Sequence, residues 1–434
     1  MPDSLEIEPL RAAYRSGTLR PSALVAQLLE RIAARGDDKV WIHLVPRAEL
    51  ERRAAVLERL APERLPLYGV PFAIKDNIDL AGSPTTAACP EFAYTPEASA
   101  PAVQRLLDAG AIALGKTNLD QFATGLVGTR SPYGACRNVF DPRYISGGSS
   151  SGSAVAVAAG LASFALGTDT AGSGRVPAAF NDLVGLKPTL GLVSTRGVVP
   201  ACRSLDCVSI FARTAHDART VLGVAQGFDR DEPYSRPVLQ AAPAAFGERF
   251  RFGVPRTAEL EFFGDREYQR LYGEALERLE AIGGTRVEID FRPFLEAARL
   301  LYDGPWVAER WLVVSALLAR KPEAIHPVTR RVIEKGASYS AADAFRAAYR
   351  LQALRREAEA AWDVVDLIVT PTAPTIYTLD QVEADPVGAN SRLGTYTNFV
   401  NLFDMSALAM PAGFRADGLP FGVTLLAPAF WDGA

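Results

Sequence analysis

The sequence has few histidines and few lysines. Its 434 residues include three histidines, and six of the 46 basic residues are lysines while the other 40 are arginines. A mechanism that depends on histidine therefore has few candidates. Arginine cannot lose its proton in a protein, so a lysine retained in such a chain indicates a place where a neutral amine is needed.

The chain also lacks the features of secreted, membrane-bound and nucleic-acid-binding proteins. Four cysteines do not make a disulfide framework in 434 residues, and their spacings do not fit zinc sites. The net charge is −4 without a run of Lys or Arg, which argues against a nucleic-acid partner. The N-terminus has no apolar stretch, and the longest apolar stretch, residues 154–171, is broken by Gly, Ser, Thr and Asp. We predict a cytoplasmic protein without membrane contact, metal ion or cofactor.

Apolar periodicity predicts strands that alternate with helices. Strands are predicted at residues 68–74, 111–114, 164–167, 251–254 and 367–370, and helices at 103–109, 153–160, 267–282 and 341–361. This alternation indicates an α/β protein with a largely buried sheet. No repeat or low-complexity linker divides the chain, so we expect one domain over residues 1–434, with an N-terminal helical segment over about 1–62.

Glycine and serine are concentrated in two short clusters, residues 146–153 and 167–175. Glycine lets backbone N–H groups approach a ligand closely, and neighbouring hydroxyls supply nucleophiles or proton relays. A flexible linker is disfavoured because both clusters are embedded in apolar, helix-competent sequence. Neither cluster fits the patterns of phosphate-binding loops. The clusters are therefore candidates for nucleophilic catalysis.

One candidate mechanism is a histidine-dependent triad with Ser150 as nucleophile. Residues 148–152 match the G-x-S-x-G pattern of a nucleophile elbow. However, His43 precedes the serine, which is the wrong order for an α/β hydrolase. His216 lies at an apparent helix start and His326 in an apparent loop. The residues disfavour this alternative without excluding it.

A buried lysine is the other base that can activate a serine. Burial disfavours the charged form of lysine and lowers its pKa, so that the neutral amine can accept a proton. Lys75 ends a predicted apolar strand in a chain that otherwise prefers arginine, and it is the candidate base. The alternative for Lys75 is an ion pair with Asp76 or Asp79 at the strand end.

Four motifs in this order resemble the amidase-signature family. They are IKD (74–76), GGSS (147–150), DTAGSGR (169–175) and GLKPT (185–189). The likeness is dense over residues 67–195. It implies an α/β fold with a large mixed, mostly parallel twisted sheet covered by helices on both faces. It also implies a Ser–cis-Ser–Lys triad.

The resemblance assigns a role to each member of that triad. Ser173 is implied to be the acylated nucleophile, and Lys75 the base. Ser149, after a cis peptide bond from Gly148, is implied to relay the proton between them. The backbone N–H groups of the turn before and at the nucleophile are implied to form an oxyanion hole. These N–H groups belong to Thr170, Ala171, Gly172 and Ser173. We expect Asp169 and Arg175 to hold this turn and to take no part in the chemistry.

Within that family, residues 115–131 and 168–177 look most like the allophanate hydrolases. Their substrate, urea-1-carboxylate, is a small anion, and its carboxylate suits bidentate pairing with a guanidinium. That branch has a Tyr and an Arg eight residues apart on a helix in the second half, which Tyr302 and Arg310 match. We expect Tyr302, Arg310 and Gly125 to bind the substrate.

Other activities of the same family remain alternatives. One is a hydrolase of biuret or of another small amide, and another is an amidotransferase-like subunit that works only in a complex. The resemblance also implies a homodimer. The C-terminal domain that usually follows in the allophanate hydrolases is expected to be absent.

Overall fold

The computed structural model describes residues 4–238 and 245–434, so Met1, Pro2 and Asp3 of the N-terminus lie outside the described residues. Its strands are β1 Trp41–Leu44, β2 Pro71–Lys75, β3 Ile112–Thr117, β4 Phe164–Asp169, β5 Val184–Lys187, β6 Cys207–Ala212, β7 Phe250–Pro255, β8 Gly284–Ile289, β9 Leu367–Pro371, β10 Ser406–Phe414 and β11 Pro420–Ala427. These strands form one sheet in the order β1-β3-β2-β4-β6-β5-β10-β11-β9-β7-β8. Because β1 and β8 are its edges, the sheet is open.

The sheet is mixed, as the resemblance implies, but it is not mostly parallel. Strand β2 is parallel to β3 and β4, and β7 is parallel to β8 and β9. The other six pairings are antiparallel. Parallel pairing needs a crossover of a dozen or more residues, usually a helix, whereas β10 and β11 are joined by a tight turn with Gly418 at φ +84°. The mostly parallel pairing that the resemblance implies is therefore wrong, because the strands at the centre of the sheet pair antiparallel with their neighbours.

Helices cover the sheet. They are α1 Ile7–Arg15, α2 Pro21–Ala34, α3 Arg47–Leu57, α4 Pro101–Asp108, α5 Ser151–Ala158, α6 Val176–Phe180, α7 Ala215–Ala225, α8 Arg266–Ala281, α9 Arg292–Asp303, α10 Trp306–Arg320, α11 Pro327–Ile333, α12 Ala341–Glu359, α13 Leu379–Ala384, α14 Gly388–Leu393 and α15 Phe399–Leu402. Strands β2 to β6 and β9 are buried at every position, which requires cover on both faces.

The N-terminal segment is helical apart from one strand that the sequence analysis missed. Strand β1 lies between α2 and α3 and pairs antiparallel with β3 at the edge of the sheet. Its four residues, Trp41–Leu44, are only partly buried. A strand this short shows too few alternations for its period to be recognised.

Because β2 and β4 run in the same direction, their carboxyl ends lie side by side. Strands β2 and β4 are parallel neighbours, and their carboxyl ends are Lys75 and Asp169. The first Gly/Ser cluster runs into α5, which packs against both strands. The candidate base and both serine clusters therefore meet at one edge of the sheet.

Candidate active site

Lys75 is fully buried at the end of β2. Its Nζ donates to the Oγ of Ser149 at 2.8 Å and to the Oγ1 of Thr168 at 2.8 Å. The alternative ion pairs are not formed. Asp76 pairs instead with Nζ of Lys116 at 3.2 Å, and Asp79 accepts from the hydroxyl of Tyr94 at 2.8 Å. Among the described residues, the amine thus hydrogen-bonds to two hydroxyls and to no carboxylate.

The environment of Lys75 lowers the pKa of its amine to about 7. Burial is the largest cause, because an ammonium ion is poorly solvated in the protein interior. The carboxylates of Asp120, Asp206 and Asp169 act in the opposite direction, and the nearby guanidinium of Arg310 lowers the pKa further. At neutral pH a large fraction of Lys75 is therefore uncharged and able to accept a proton.

Ser149 follows a cis peptide bond from Gly148, as the resemblance implies. Only glycine fits at position 148, since a Cβ there would overlap the carboxylate of Asp120 and the backbone nitrogen of Gly128. Asp120 is itself fully buried, and its N–H donates to the carbonyl of Ser149 at 3.0 Å. This packing fixes the backbone that carries the Ser149 hydroxyl toward Lys75.

Ser173 lies in the turn that follows β4 and is 3% exposed. Its Oγ donates to the carbonyl of Gly125 at 3.5 Å, so the structure places Gly125 beside the candidate nucleophile. Gly172 has φ +128°, and a Cβ there would overlap the side chain of Thr397. The turn therefore needs glycine both for its conformation and for its close approach to the segment before α15.

Asp169 and Arg175 hold this turn, in agreement with the expectation from the sequence. The guanidinium of Arg175 binds the carboxylate of Asp169 through Nε at 2.9 Å and Nη2 at 3.0 Å, and both residues are fully buried. The same carboxylate accepts from the N–H groups of Gly172 at 2.8 Å and Gly174 at 3.0 Å. Burial is the largest single influence and raises the pKa of Asp169, but Arg175, Lys187 and the N–H of Gly172 together outweigh it, so the net shift is downward and Asp169 stays ionised.

The hydrogen bond from the N–H of Gly172 to Asp169 reduces the expected set of oxyanion-hole donors. The N–H of Gly172 is already used, so Gly172 is not a free donor in this structure. Within residues 4–238 and 245–434, the N–H groups of Thr170, Ala171 and Ser173 have no hydrogen-bond acceptor. Three of the four expected donors therefore remain available for a developing negative charge.

Ser150 has the contacts of a structural serine. Its hydroxyl donates to the carbonyl of Thr168 at 3.2 Å and accepts from the N–H of the same residue at 3.4 Å. His43 lies in β1, His216 in the first turn of α7 and His326 immediately before α11. Among the described residues no histidine side chain hydrogen-bonds to a serine hydroxyl, so the elbow arrangement is not formed.

Tyr302 and Arg310 lie close together, although not on one helix as expected. Tyr302 is in α9 and Arg310 in α10, and Gly304 and Pro305 separate the two helices. A residue before proline avoids the helical conformation, which explains the break. The Nη2 of Arg310 donates to the hydroxyl of Tyr302 at 3.3 Å, and the guanidinium carbon lies 5.2 Å from the ring centre.

Not every nitrogen of the Arg310 guanidinium has a hydrogen-bond partner among the described residues. It is 2% exposed, and its Nη1 donates to the carbonyl of Ala123 at 3.2 Å and to the Oγ1 of Thr124 at 3.0 Å. Its buried Nε has no hydrogen-bond partner among the described residues. Buried polar groups are normally paired, and Nε with Nη2 forms the edge that a carboxylate binds through two oxygens. An anion placed there would complete the hydrogen bonding of Arg310.

Open space adjoins Tyr302. A cavity of about 450 Å³ is lined by Tyr302 and Asp303 on one side and by Gly394, Thr395 and Asn398 on the other. The turn at 394–398 also contains Thr397, whose side chain lies close to Gly172. Gly172 belongs to the turn at 170–174 that carries Ser173, which we call the nucleophile turn. The cavity therefore lies between Tyr302 and the segment that precedes α15.

Two site residues were missed in the sequence analysis. Thr168 binds Lys75, and its position next to Asp169 in the second cluster was an available signal. Asp206 accepts a hydrogen bond from the hydroxyl of Thr170 across 36 residues, and no local pattern marks it.

The described residues contain no group of three or more His, Cys, Asp or Glu side chains that could hold a metal ion. None of their helices combines the length and hydropathy of a membrane span. All four cysteines are buried free thiols.

Comparison with known proteins extends the likeness along the whole chain. A family model described as Amidase matches residues 23–434. The chain is 49% identical over 409 residues to a urea amidolyase from Lachancea kluyveri, covering 93% of this chain but 22% of that protein. It is 34% identical over 400 residues to one subunit of a glutamyl-tRNA(Gln) amidotransferase from Methanosarcina acetivorans, covering 84% of this chain and 82% of that protein. The chain thus spans about a fifth of the urea amidolyase it matches.

Among solved structures, an allophanate hydrolase from Kluyveromyces lactis superposes with a TM-score of 0.94 at 44% identity. The match covers 99% of this chain and 71% of that chain.

Proposed function

The chain belongs to the amidase family, and from this premise we propose that it hydrolyses allophanate with release of ammonia. Two findings support this substrate. The first is the similarity to proteins described as urea amidolyase and allophanate hydrolase. The second, which carries the proposal, is the buried Nε of Arg310 that has no partner among the described residues. A substrate carboxylate supplies the missing acceptor.

In the proposed mechanism, Ser173 attacks the terminal carboxamide carbon of the substrate. Its proton passes to Ser149, whose own proton passes to the neutral amine of Lys75 2.8 Å away. Negative charge develops on the substrate oxygen, and the free N–H groups of residues 170, 171 and 173 stabilise it.

Collapse of the intermediate breaks the C–N bond. The protonated Lys75 returns its proton through Ser149 to the leaving nitrogen, and ammonia departs. Water then attacks the acyl group on Ser173 and loses its proton along the same path. One water is consumed, and the products are ammonia and N-carboxycarbamate.

Tyr302 and Arg310 are the proposed anchors for the substrate carboxylate, and Gly125 is proposed to line the same pocket. Arg310 supplies the charge, while Tyr302 shares a hydrogen bond with it and adjoins the open cavity. Gly125 lies beside the Ser173 hydroxyl. The distance between anchor and nucleophile sets which carbonyl is attacked.

An assay of ammonia release from allophanate, biuret and simple amides tests the proposal with the isolated chain. Biuret has a neutral carboxamide in place of the carboxylate and cannot pair ionically with Arg310. Allophanate should therefore be preferred by kcat/KM. A clear preference for biuret contradicts the substrate assignment, and strict dependence on partner proteins and tRNA favours the amidotransferase-like alternative.

Arg310→Ala is expected to raise KM for allophanate about 10- to 100-fold, since charge-assisted hydrogen bonds are worth about 1.5–3 kcal/mol. The variant removes the only charge assigned to the carboxylate, whereas kcat should change less. Steady-state kinetics on allophanate measure both parameters. Arg346→Ala, an exposed arginine on α12, is the matched control and should leave KM unchanged. An Arg310→Ala enzyme with the wild-type KM would remove Arg310 from the binding site.

The pH dependence follows from Lys75, which accepts a proton only when it is neutral. Because burial lowers its pKa to about 7, the active fraction falls tenfold per pH unit below that value. We expect kcat/KM to rise with pH through about 7 and then to level off. Arg310 does not titrate in this range. A pH–rate profile checks the prediction, and an acid limb near pH 10 would indicate an ordinary, solvated lysine.

We further propose that the enzyme acts in the cytoplasm as a homodimer and without a metal ion or cofactor. Free thiols at all four cysteines suit a reducing compartment. We propose that residues 1–434 form a single amidase domain, since one sheet contains all the strands of the described residues.

A further inference from the structure

Asp206 is a buried carboxylate to which the proposed mechanism gives no role. It is 6% exposed and directly precedes β6. Three donors bind it, namely the hydroxyl of Thr170, the N–H of Ala201 at 2.8 Å and the N–H of Cys202 at 3.3 Å. Burial raises the pKa of Asp206 to about 6, so at neutral pH it is still mostly an ionised acceptor.

One of these contacts reaches the nucleophile turn directly. Thr170 is the first residue of the turn, and its N–H is one of the three donors without an acceptor among the described residues. A side chain fixed by a charged hydrogen bond limits rotation of the backbone to which it is attached. The hydrogen bond to Asp206 therefore restrains the residue that carries the Thr170 N–H.

The loop that carries Asp206 is itself fastened to α10. The Sγ of Cys202 donates to the carbonyl of Trp306 at 3.4 Å, and the N–H of Ser204 donates to Glu309 at 2.9 Å. Glu309 is adjacent to Arg310. The loop at 201–206 thus bridges the nucleophile turn and the helix that carries the candidate anchor.

We propose that Asp206 is a positioning residue that, through the hydroxyl of Thr170, aims the oxyanion-binding N–H groups at the reacting carbonyl. The inference rests on the proposed function, because it assumes that Ser173 is the nucleophile. It applies to any acyl substrate that passes through a tetrahedral anion. Its effect belongs to the transition state, so kcat should change more than KM.

Two substitutions at Thr170 separate positioning from a general structural role. Thr170→Val keeps the branched shape but removes the hydroxyl, whereas Thr170→Ser keeps the hydroxyl. Asp206→Asn replaces one acceptor oxygen by a donor, so at least one of the three bonds is lost. Because outright removal of an oxyanion donor costs about 10²–10³ in kcat, we expect Thr170→Val and Asp206→Asn each to lower kcat roughly 10- to 100-fold. Thr170→Ser should stay within about threefold of wild type.

The double variant gives a second readout. If Asp206 acts through Thr170, the losses in Thr170→Val and Asp206→Asn combine to less than their product, because both act on the charge-assisted hydrogen bond of the Thr170 hydroxyl. Asp217→Asn is the matched control, since Asp217 is also buried, has a pKa raised to about 6, and accepts from the N–H of Ile7 far along the chain. It should leave kcat unchanged. Thermal unfolding of each variant establishes that it is folded.

The rate of labelling by a fluorophosphonate probe makes the test independent of the amide. In this reaction the Ser173 Oγ–P bond forms, the P–F bond breaks, fluoride leaves, and the serine proton passes through Ser149 to Lys75. Both Thr170→Val and Asp206→Asn should slow labelling, and Thr170→Ser should restore it. Equal labelling rates in wild type, Thr170→Val and Asp206→Asn would overturn the role of Asp206, as would multiplicative losses in the double variant. A wild-type chain that is labelled at Ser173 but leaves allophanate intact overturns the substrate assignment alone.

Discussion

Ser173→Ala is expected to lower kcat on allophanate by at least about 10⁴-fold, as loss of a serine nucleophile does in other hydrolases. Ser150 is not placed to replace it, because its hydroxyl binds the backbone of Thr168, and Ser149 is the proton relay to Lys75 in the proposed mechanism. The folded structure should survive, because the Ser173 hydroxyl makes one long hydrogen bond of 3.5 Å. Ammonia release measures kcat, and intact mass after fluorophosphonate treatment measures acylation.

Ser150→Ala is the control for this prediction. It removes a buried hydroxyl from the same region and tests the elbow alternative directly. The Ser150→Ala protein should still gain the mass of one probe, whereas the Ser173→Ala protein should not. If Ser150→Ala were not labelled while Ser173→Ala still was, the assignment of the nucleophile would be contradicted.

Replacing Lys75 is expected to have the second largest effect, a loss of at least about 10³ in kcat for both Lys75→Arg and Lys75→Met. Arginine keeps the charge but cannot release its proton, so it cannot serve as the base. Methionine has a similar length but no amine. Both variants should also slow fluorophosphonate labelling, because transfer of the serine proton is common to the two reactions.

Lys335→Arg, on the surface, is the control and should keep the wild-type rate. The outcome that contradicts the role of Lys75 is a folded Lys75→Met enzyme within tenfold of wild type. If kcat fell strongly in Lys75→Met but not in Lys75→Arg, the site would need a positive charge at this position and not a base.

The sequence points to the residues proposed to react more readily than to the residues that hold them in position. Local reasoning singles out Lys75 and the two Gly/Ser clusters, whereas the resemblance to the amidase-signature family selects Ser149 and Ser173 within those clusters. Asp206 could not be found in this way, because its contact with Thr170 joins residues 36 positions apart. Which N–H groups of the turn are free depends on its local conformation, since the N–H of Gly172 donates to Asp169 three residues earlier, and the residue types alone do not specify this bond.

The errors in the fold have similar physical causes. Gly304 and Pro305 predict a helix break between Tyr302 and Arg310, which the resemblance to a branch with both residues on one helix does not take into account. Strand direction in β5, β6, β10 and β11 depends on which strands become neighbours, and apolar periodicity does not report this. Phe122 and Ala123 adopt positive φ values of 52° and 51°, which their residue types do not predict.

The contacts of Arg175 have a consequence for protein synthesis. Its Nη2 donates to the carbonyl of Thr397 at 3.2 Å and to the side chain of Asn401 at 3.3 Å, more than 220 residues later in the chain. Asn401 in turn donates to the carbonyl of Asp169 at 2.8 Å. A ribosome releases the nucleophile turn long before it releases α15, so the growing chain carries the reactive serines without the clamp that shapes them. The proposed hydrolysis therefore requires that α15 has been synthesised and has packed against this turn.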